Sequence, residues 1–388
     1  MITVRIRWAL IGICLAWALM GTASCRTITV GPQREVTRIV DAAKIAVDDD
    51  VVEIDSGTYV ADVAVWAQKR LTIRGAAPGV VLSAGGAAAQ SKAIWVFRNG
   101  NFQVQGITFR GARVADGNGA GIRLESGTLR VVDCVFDNNQ NGILTGNNPA
   151  TELAIVDSIF MNAPIQVTPP PHLLYAGAIH SLSIIGSRFQ AGYMGHLVKS
   201  RARQSDLRYN TIDDGVGGQA AYEIEFPNGG DVLLLGNAVG QSEKTSNRTV
   251  ISYGAEGERW PVNTLVVSHN TLLSRGWMPA WFVRVWDSHF TAKVNISIFN
   301  NLIAGYGIFS LGLNGAVEGN LFTTGGTLRE PDSSDFRLST PGWLSSWRSI
   351  DIPGRLRPVA EPLLPAGIRK LPPIESWKPG AYQQDPAQ

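Results

Sequence analysis

Short runs of alternating apolar and polar residues recur along this chain, and most end in a large apolar residue. The residues at these ends are Phe109, Phe136, Phe160, Phe189, Ile212, Val239, Leu272, Ile303 and Phe322. Successive members lie 19 to 33 residues apart. A unit that recurs at this spacing and cannot bury its own apolar face predicts a solenoid. Since the units are strand-like, with no helices between them, the prediction is an all-β chain folded as a parallel β-helix with one continuous core.

Asparagine stands two residues before the apolar end in five consecutive units. These residues are Asn210, Asn237, Asn270, Asn301 and Asn320. Asparagine tolerates the left-handed backbone conformation, and its side chain can form hydrogen bonds along a stack of turns. We therefore predict that these five residues are structural.

The two ends of the chain depart from this pattern. Residues 34–46 space their apolar side chains as a helix does, which predicts a short N-terminal capping helix. Ten of the 20 prolines lie from Pro331 onward, where they interrupt sheet pairing. The predicted organisation is a signal peptide over 1–24, a β-helix domain over 27–326, and a Pro-rich C-terminal cap or tail over 327–388 that packs on the helix.

The first residues resemble a secretion signal. Arg5 and Arg7 precede an apolar run that is too short for a comfortable membrane span, and small residues follow it. We therefore expect a secreted or periplasmic protein without a membrane span; lipidation at Cys25, giving an outer-membrane lipoprotein, is the alternative. Three cysteines do not make a disulfide scaffold, and Cys134 is expected in the core.

Charge and ligand spacing exclude several classes of function. The net charge is +2 and charged residues make up 17% of the chain, so no strong field points to nucleic acid. The histidines have no metal-ligand spacing, so no metal site and no cofactor are predicted. Asp213 and Asp214 precede a glycine and are interpreted as a turn, with calcium as the open alternative. We expect a monomer.

The stretch from 195 to 230 carries the candidate chemistry. Side chains alternate between the two faces of a strand. Lys199 and Arg201 are therefore expected on one face of a strand, and Glu223 and Glu225 on one face of the strand one coil later. Neighbouring strands would bring the two cations about 5 Å from the two carboxylates. One interpretation is a surface salt-bridge ladder of little energetic value. The other is a reaction site.

Several motifs resemble a known superfamily. VVEIDSGTYVADVAVW and LTIRG resemble the first coils of pectin-lyase-like right-handed parallel β-helix proteins, and DFRLST and PGAYQ resemble their closing pieces. NGAGIRLES, NNQNGILTG, GHLVKSRA and YEIEFPNGG resemble a secreted bacterial group within it. The resemblance covers roughly residues 35–385 and implies a groove on one sheet that binds an acidic polysaccharide. The Asp-Asp plus Gly-His-Gly set of polygalacturonases and the Asp-Pro-His-Asp motif of alginate epimerases are absent.

With this resemblance, the favoured function is cleavage of a uronate-containing polysaccharide by β-elimination. This reaction needs a cation on the carboxylate and a base for the C5 proton. Arg201 suits the first role and Lys199 or His172 the second, with Glu223 as an orienting group. Further residues expected to bind substrate are Tyr175, His196, Tyr222, Glu225, Arg123, Tyr253, Glu256, Arg284 and Trp286.

The alternatives are a non-catalytic glycan-binding or surface protein, and a glycoside hydrolase or epimerase. A hydrolase would use Glu223 and Glu225, about 6.5–7 Å apart on one strand face.

Overall fold

A computed structural model of the chain describes residues 26–309, 313–339 and 343–383. The predicted signal peptide and Cys25 lie outside these residues. The described chain winds through about ten coils, and each coil contributes one strand to each of three long parallel sheets. The predicted parallel β-helix is therefore confirmed. Among the described residues, no helix is long and apolar enough to cross a membrane.

Strands are numbered in chain order, and the sheets are named I, II and III in the order in which a coil visits them. Sheet I contains β1 (Thr27–Val30), β2 (Val51–Ile54), β5 (Arg70–Gly75), β8 (Gly100–Gln105), β11 (Gly127–Val132), β14 (Glu152–Val156), β17 (Ser181–Ile185), β20 (Gln204–Arg208), β23 (Asp231–Leu235), β26 (Thr264–Ser268), β29 (Asn295–Phe299) and β32 (Gly315–Glu318). Sheet II contains β3 (Gly57–Val60), β6 (Val80–Ser83), β9 (Ile107–Arg110), β12 (Val135–Asp137), β15 (Ile159–Met161), β18 (Arg188–Gln190), β21 (Thr211–Asp213), β24 (Ala238–Gln241), β27 (Thr271–Ser274), β30 (Leu302–Ala304) and β33 (Leu321–Thr323). Sheet III contains β4 (Ala64–Trp66), β7 (Ala93–Phe97), β10 (Ala120–Leu124), β13 (Asn141–Thr145), β16 (His172–Ala176), β19 (His196–Ser200), β22 (Tyr222–Phe226), β25 (Thr249–Tyr253), β28 (Ala280–Val285) and β31 (Gly307–Ile308).

The predicted apolar ends stack inside sheet II. Phe109, Phe136, Phe160 and Phe189 occupy the same position in consecutive strands, with ring centroids 5.1, 4.5 and 4.6 Å apart and nearly parallel planes. All four rings are buried, and offset stacking adds to the free energy that burial provides. The same register continues to Ile212 and beyond, so the spacing of these residues fixes which strands pair.

The asparagines form a ladder at the turn from sheet I to sheet II. The Nδ2 group of Asn210 donates to Oδ1 of Asn237 at 2.9 Å, and the pattern repeats through Asn270, Asn301 and Asn320. Each Oδ1 also accepts the backbone N–H of the asparagine before it. The structural prediction is confirmed, with one difference. The left-handed conformation falls on the residue before each asparagine, such as Tyr209 with φ of 57°, because this leaves the asparagine free to point along the stack.

The ladder begins in earlier coils with smaller side chains. The backbone N–H of Cys134 donates to Oγ of Ser158, that of Ser158 to Oγ of Ser187, and that of Ser187 to Oδ1 of Asn210. Cys134 is buried, as predicted, and burial raises the pKa of its thiol to about 12.

A short helix, α1 (Ile39–Ile45), lies near the N-terminal end of the solenoid. It covers part of the predicted range 34–46 and buries Ile39 and Ala42. The carboxylate of Asp62 accepts the N–H groups of Ile39 and Val40 at 2.7 and 2.9 Å, which satisfies two donors of the first turn. Its capping function stays a prediction.

After β33 the chain continues outside the three long sheets. Its elements are the 3-10 turn Gly325–Thr327, β34 (Leu328–Glu330), the 3-10 turn Pro331–Ser333, β35 (Asp335–Leu338), α2 (Trp343–Ser346), the 3-10 turn Gly354–Leu356, β36 (Ala360–Pro362) and β37 (Ile368–Lys370). Strands β34 and β35 pair antiparallel, as do β36 and β37. This segment contacts the solenoid: the hydroxyl of Ser334 donates to the carboxylate of Asp213, and the carbonyl of Pro331 accepts a hydrogen bond from Arg275, which also pairs with Asp213. The predicted domain boundary at 326 stays a prediction.

Candidate functional site

One outward-facing position of sheet III carries five of the thirteen predicted site residues, namely Arg123, Tyr175, Lys199, Glu225 and Arg284. Its residues, in register on consecutive strands, are Arg123, Leu144, Tyr175, Lys199, Glu225, Ser252 and Arg284. Strands within a sheet are about 4.8 Å apart, so this column of side chains extends along the axis of the solenoid. We call it the sheet III column.

Lys199 and Arg201 lie close to two carboxylates near the middle of this column. Lys199 Nζ is 3.4 Å from Glu225 Oε2 and 3.6 Å from Glu256 Oε1. The Arg201 guanidinium holds Glu256 with two contacts, Nη2 to Oε1 at 2.9 Å and Nη1 to Oε2 at 2.7 Å. The two basic residues therefore point to the same side of the sheet, as predicted, and Glu225 lies within reach of Lys199.

The four groups differ in exposure. The side chains of Lys199, Arg201 and Glu225 are 12%, 18% and 5% exposed, whereas that of Glu256 is 47% exposed. The hydrogen bond from Arg201 lowers the pKa of Glu256. Burial raises the pKa of Glu225, and this effect exceeds the opposing attraction of Lys199. Glu256 is thus a solvent-facing carboxylate above two partly buried cations.

Arg201 is held by three further groups. Its Nε donates to Tyr175 Oη at 2.8 Å, and Nη1 donates to Asn228 Oδ1. Its backbone carbonyl accepts the indole N–H of Trp260 at 3.0 Å. Asn228 and Trp260 were not among the predicted residues. Asn228 lies in the turn after β22, one coil beyond the turn that contains Arg201. This spacing of one coil from Arg201 is the sequence feature by which Asn228 could be found.

His172 and His196 lie beside this cluster, with ring centroids 4.7 Å apart and ring planes tilted by 40° to each other. His172 Nδ1 accepts the backbone N–H of His196 at 3.0 Å, so the proton of the neutral ring lies on Nε2. Burial, with smaller contributions from Lys199 and Arg201, lowers the pKa of His172 to about 3. His196 Nδ1 is 3.2 Å from Glu225 Oε2, and burial holds the pKa of His196 well below its ordinary value. Both rings are neutral near neutral pH.

The prediction that Glu223 shares a face with Glu225 is wrong. Strand pairing connects Tyr222, Ile224 and Glu225 with the preceding strand and skips Glu223, so alternation is interrupted there. Glu223 points into the solenoid, where it is completely buried. Its Oε2 accepts a hydrogen bond from Gln241 at 3.0 Å, and burial raises its pKa well above the ordinary value.

The same interruption changes the orientation of other predicted residues. His196 faces the cluster, as the site prediction requires, whereas Leu197 turns into the core. Tyr222 also lies outside, with its ring edge-on to His196 at 4.9 Å. The prediction for Tyr253 is wrong: it is completely buried and donates its hydroxyl hydrogen to the carbonyl of Gly230, because its strand position faces inward.

The remaining predicted residues lie along the sheet III column, away from Lys199. Arg284 stacks on Trp286, with its guanidinium carbon 3.7 Å from the ring centroid. Arg123 lies three strands from Lys199 in the other direction and contacts Glu125 at 3.4 Å. These residues extend the polar surface on both sides of the cluster.

The carboxylates of Asp213 and Asp214 both accept hydrogen bonds from protein donors. Asp213 is paired with Arg275 and Ser334, and the oxygens of Asp214 accept backbone N–H groups of Gly192 and Ala220. Both carboxylates are buried among these donors. No group of three or more His, Cys, Asp or Glu side chains in the described ranges is arranged to hold a metal ion.

Comparison with known proteins identifies the fold. No protein-family profile matches the chain, and no curated protein matches it. Among solved structures, the crystal structure of pectate lyase Pel9A aligns over 94% of this chain and 98% of its own, with a TM-score of 0.62 and 11% sequence identity. A structure of a mutant of the PL6 family alginate lyase AlyGC aligns over 77% of this chain and 40% of its own, with a TM-score of 0.39 and 16% identity. The chain therefore has the parallel β-helix fold of pectate lyase, and the resemblance seen in the sequence is confirmed for the fold.

Proposed function

We propose that this protein is a polysaccharide lyase that cleaves a uronate-containing polymer by β-elimination on the outer face of sheet III. The observation that carries the proposal is the bidentate contact between Arg201 and the exposed carboxylate of Glu256, directly beside Lys199. A guanidinium that binds one carboxylate in this bidentate geometry can bind the carboxylate of a uronic acid in the same way. Glu256 occupies this position in the free protein.

Arg201 is suited to neutralise the substrate carboxylate. Withdrawal of charge by the guanidinium acidifies the proton on C5, which lies next to the carboxylate, and stabilises the negative charge that forms when this proton leaves. Tyr175 and Asn228 hold the guanidinium in place, so the guanidinium itself need not move when a substrate carboxylate replaces Glu256. Arg201 would therefore mainly stabilise the negative charge of the transition state.

Lys199 is the better base of the two predicted candidates. His172 has no free lone pair, because Nδ1 accepts a backbone hydrogen bond and Nε2 carries the proton. Lys199 Nζ lies 3.4 Å from Glu225 Oε2 and beside Arg201, so its amine in the deprotonated form would be placed next to the bound carboxylate and its C5 proton.

The proton and electron balance of the reaction then follows. The Lys199 amine takes the C5 proton, and the electron pair of the C5–H bond forms a double bond between C4 and C5. The C4–O bond breaks, and the leaving oxygen keeps the bonding pair and takes a proton from the Lys199 ammonium. The products are a shortened chain and an unsaturated uronate, and no water is consumed.

The experiment is incubation with a panel of uronate polymers while the ultraviolet absorbance of the unsaturated product is recorded. Arg201→Lys should lower kcat/KM by about a hundredfold despite the retained charge, because the bidentate geometry is lost. Arg208→Lys is the matched control, since Arg208 makes a similar two-point contact with Asp206 on sheet I. If Arg201→Lys and Arg208→Lys behave alike on every polymer that is cut, the proposed site is wrong.

Lys199→Ala separates the lyase from its alternatives. If Lys199 is the base, this variant should lose turnover while its affinity for the polymer changes little. The second candidate is a non-catalytic glycan-binding protein, which the mutual neutralisation of the four charged groups also supports. It predicts binding without an unsaturated product in the wild-type protein. A hydrolase is not proposed, because its two carboxylates, Glu223 and Glu225, do not share a face.

A further inference from the structure

A separate pocket of about 330 Å³ opens on sheet III, at the end of the sheet III column away from Arg284. Six of its lining residues are Lys92, Asp116, Asn118, Arg123, Asn147 and Tyr175. They come from sheet III itself and from the connections on either side of it. The pocket is therefore built by several coils and lies beside the Lys199 cluster.

Tyr175 joins this pocket to the Lys199 cluster. Its ring contributes to the pocket wall, while its hydroxyl accepts the hydrogen bond from Arg201. Strand register places Arg123 three steps from Lys199, which corresponds to roughly 14 Å along the solenoid axis. A single extended polymer on the face of sheet III would pass over both places.

The lining suits sugar hydroxyls. Lys92 and Arg123 both pair with Glu125, and Asp116 accepts the backbone N–H of Asn118, so positive and negative groups balance within the pocket. The side chain of Arg123 is 21% exposed and its contact with Glu125 is long, 3.4 Å from Nη2 to Oε2, so its guanidinium can donate to a ligand in the pocket. Donors, acceptors and an aromatic ring in one concave site are the combination that binds a pyranose ring.

We propose that this pocket is a second sugar-binding subsite, which takes a hydroxyl-rich sugar residue of the same polymer roughly 14 Å from the residue held at Arg201. The proposal rests on the proposed function, since it requires a polysaccharide on sheet III. It adds a dependence on chain length: only oligomers long enough to span both places gain from the pocket. Because the pocket charges are balanced, this gain is insensitive to salt, whereas binding at Arg201 weakens as ionic strength rises.

The test uses uronate oligomers of increasing length, with affinity and kcat/KM measured for each. Arg123→Gln should leave short oligomers unchanged and weaken long ones about tenfold, the size of one hydrogen bond to a charged group. Asn118→Trp blocks the pocket from its exposed rim and should have the same selective effect without a change in charge. Arg110→Gln is the control, because Arg110 pairs with Asp137 on sheet II, away from the pocket.

The outcomes separate the subsite from the lyase. If the wild-type protein cuts polymers but Arg123→Gln and Asn118→Trp affect all lengths equally or not at all, the subsite is wrong and the lyase stands. If nothing is cut but long oligomers bind and lose affinity selectively in both variants, the subsite stands on a binding protein. If no uronate oligomer of any length binds, the subsite is overturned together with the proposed function.

Discussion

Replacement of Glu256 by glutamine tests whether this carboxylate occupies the place of the substrate. In the free protein Glu256 contacts Arg201 at two points and lies 3.6 Å from Lys199. An incoming uronate must displace it before its own carboxylate can reach the guanidinium. Glutamine keeps the size of the side chain and removes the charge, so the competition weakens. Glu256→Gln should therefore bind uronate oligomers more tightly than the wild-type protein.

The size of this effect follows from the exposure of the pair. Two unit charges about 4 Å apart attract by roughly 1 kcal/mol in water and roughly 4 kcal/mol at the effective dielectric of a protein surface. Glu256 is 47% exposed, so screening and side-chain entropy reduce its net contribution to about 1 kcal/mol. Affinity should rise by about fivefold. The gain should fall at high salt, because ions screen the wild-type pair.

The assay is the binding of a uronate oligomer by calorimetry at low and high salt, with kcat and KM on the polymer recorded in parallel. KM should fall and kcat should change little, since the competition affects ground state and transition state alike. Glu258→Gln is the control, because Glu258 lies in the same connection but bonds to Thr291. Weaker binding in Glu256→Gln than in Glu258→Gln would refute the reasoning and indicate that Glu256 serves to orient Arg201.

Two predictions concern stability. The folded-state pKa of Glu223 is raised above the ordinary 4.5, so the folded state binds more protons than the unfolded state and wild-type stability falls as pH rises above about 4.5. Glu223→Gln should remove this pH dependence of the free energy of unfolding, which amounts to about 1.4 kcal/mol for each pH unit up to the folded-state pKa. If chemical unfolding gives the wild-type protein and Glu223→Gln parallel pH profiles, the prediction is wrong. Asn237→Ala breaks the interior of the asparagine ladder and should cost about 3 kcal/mol, since buried donors and acceptors lose their partners. The same change at Asn320, the last rung, should cost less in thermal unfolding, and equal losses would mean that the ladder does not act as a connected unit.

The fold could be predicted because each coil repeats the same physical requirements. Phe109 and Phe136 reveal the coil spacing directly, since each must bury its ring against the next. Asn237 and Asn270 mark the same turn in successive coils. These signals depend only on spacing along the chain. For this reason the parallel register follows from the sequence alone.

The site could be predicted only in part, because it depends on a backbone irregularity and on a connection. Strict alternation places Glu223 beside Glu225, but the skipped pairing in β22 turns Glu223 inward. The residue types in β22 do not predict that interruption. The contact between Arg201 and Glu256 is also absent from the pattern, since Glu256 reaches back across two coils from a connection whose path periodicity does not determine.

The connections from sheet III to sheet I vary in length far more than the strands that they join. Three residues (201–203) follow β19, whereas ten (254–263) follow β25 and include Glu256. Lengthening such a connection costs little, because loop-closure entropy rises slowly with length. The register, in contrast, is held by the ring stack and the asparagine ladder. The connection 254–263 can therefore gain or lose residues while Lys199 on β19 keeps its place in the sheet.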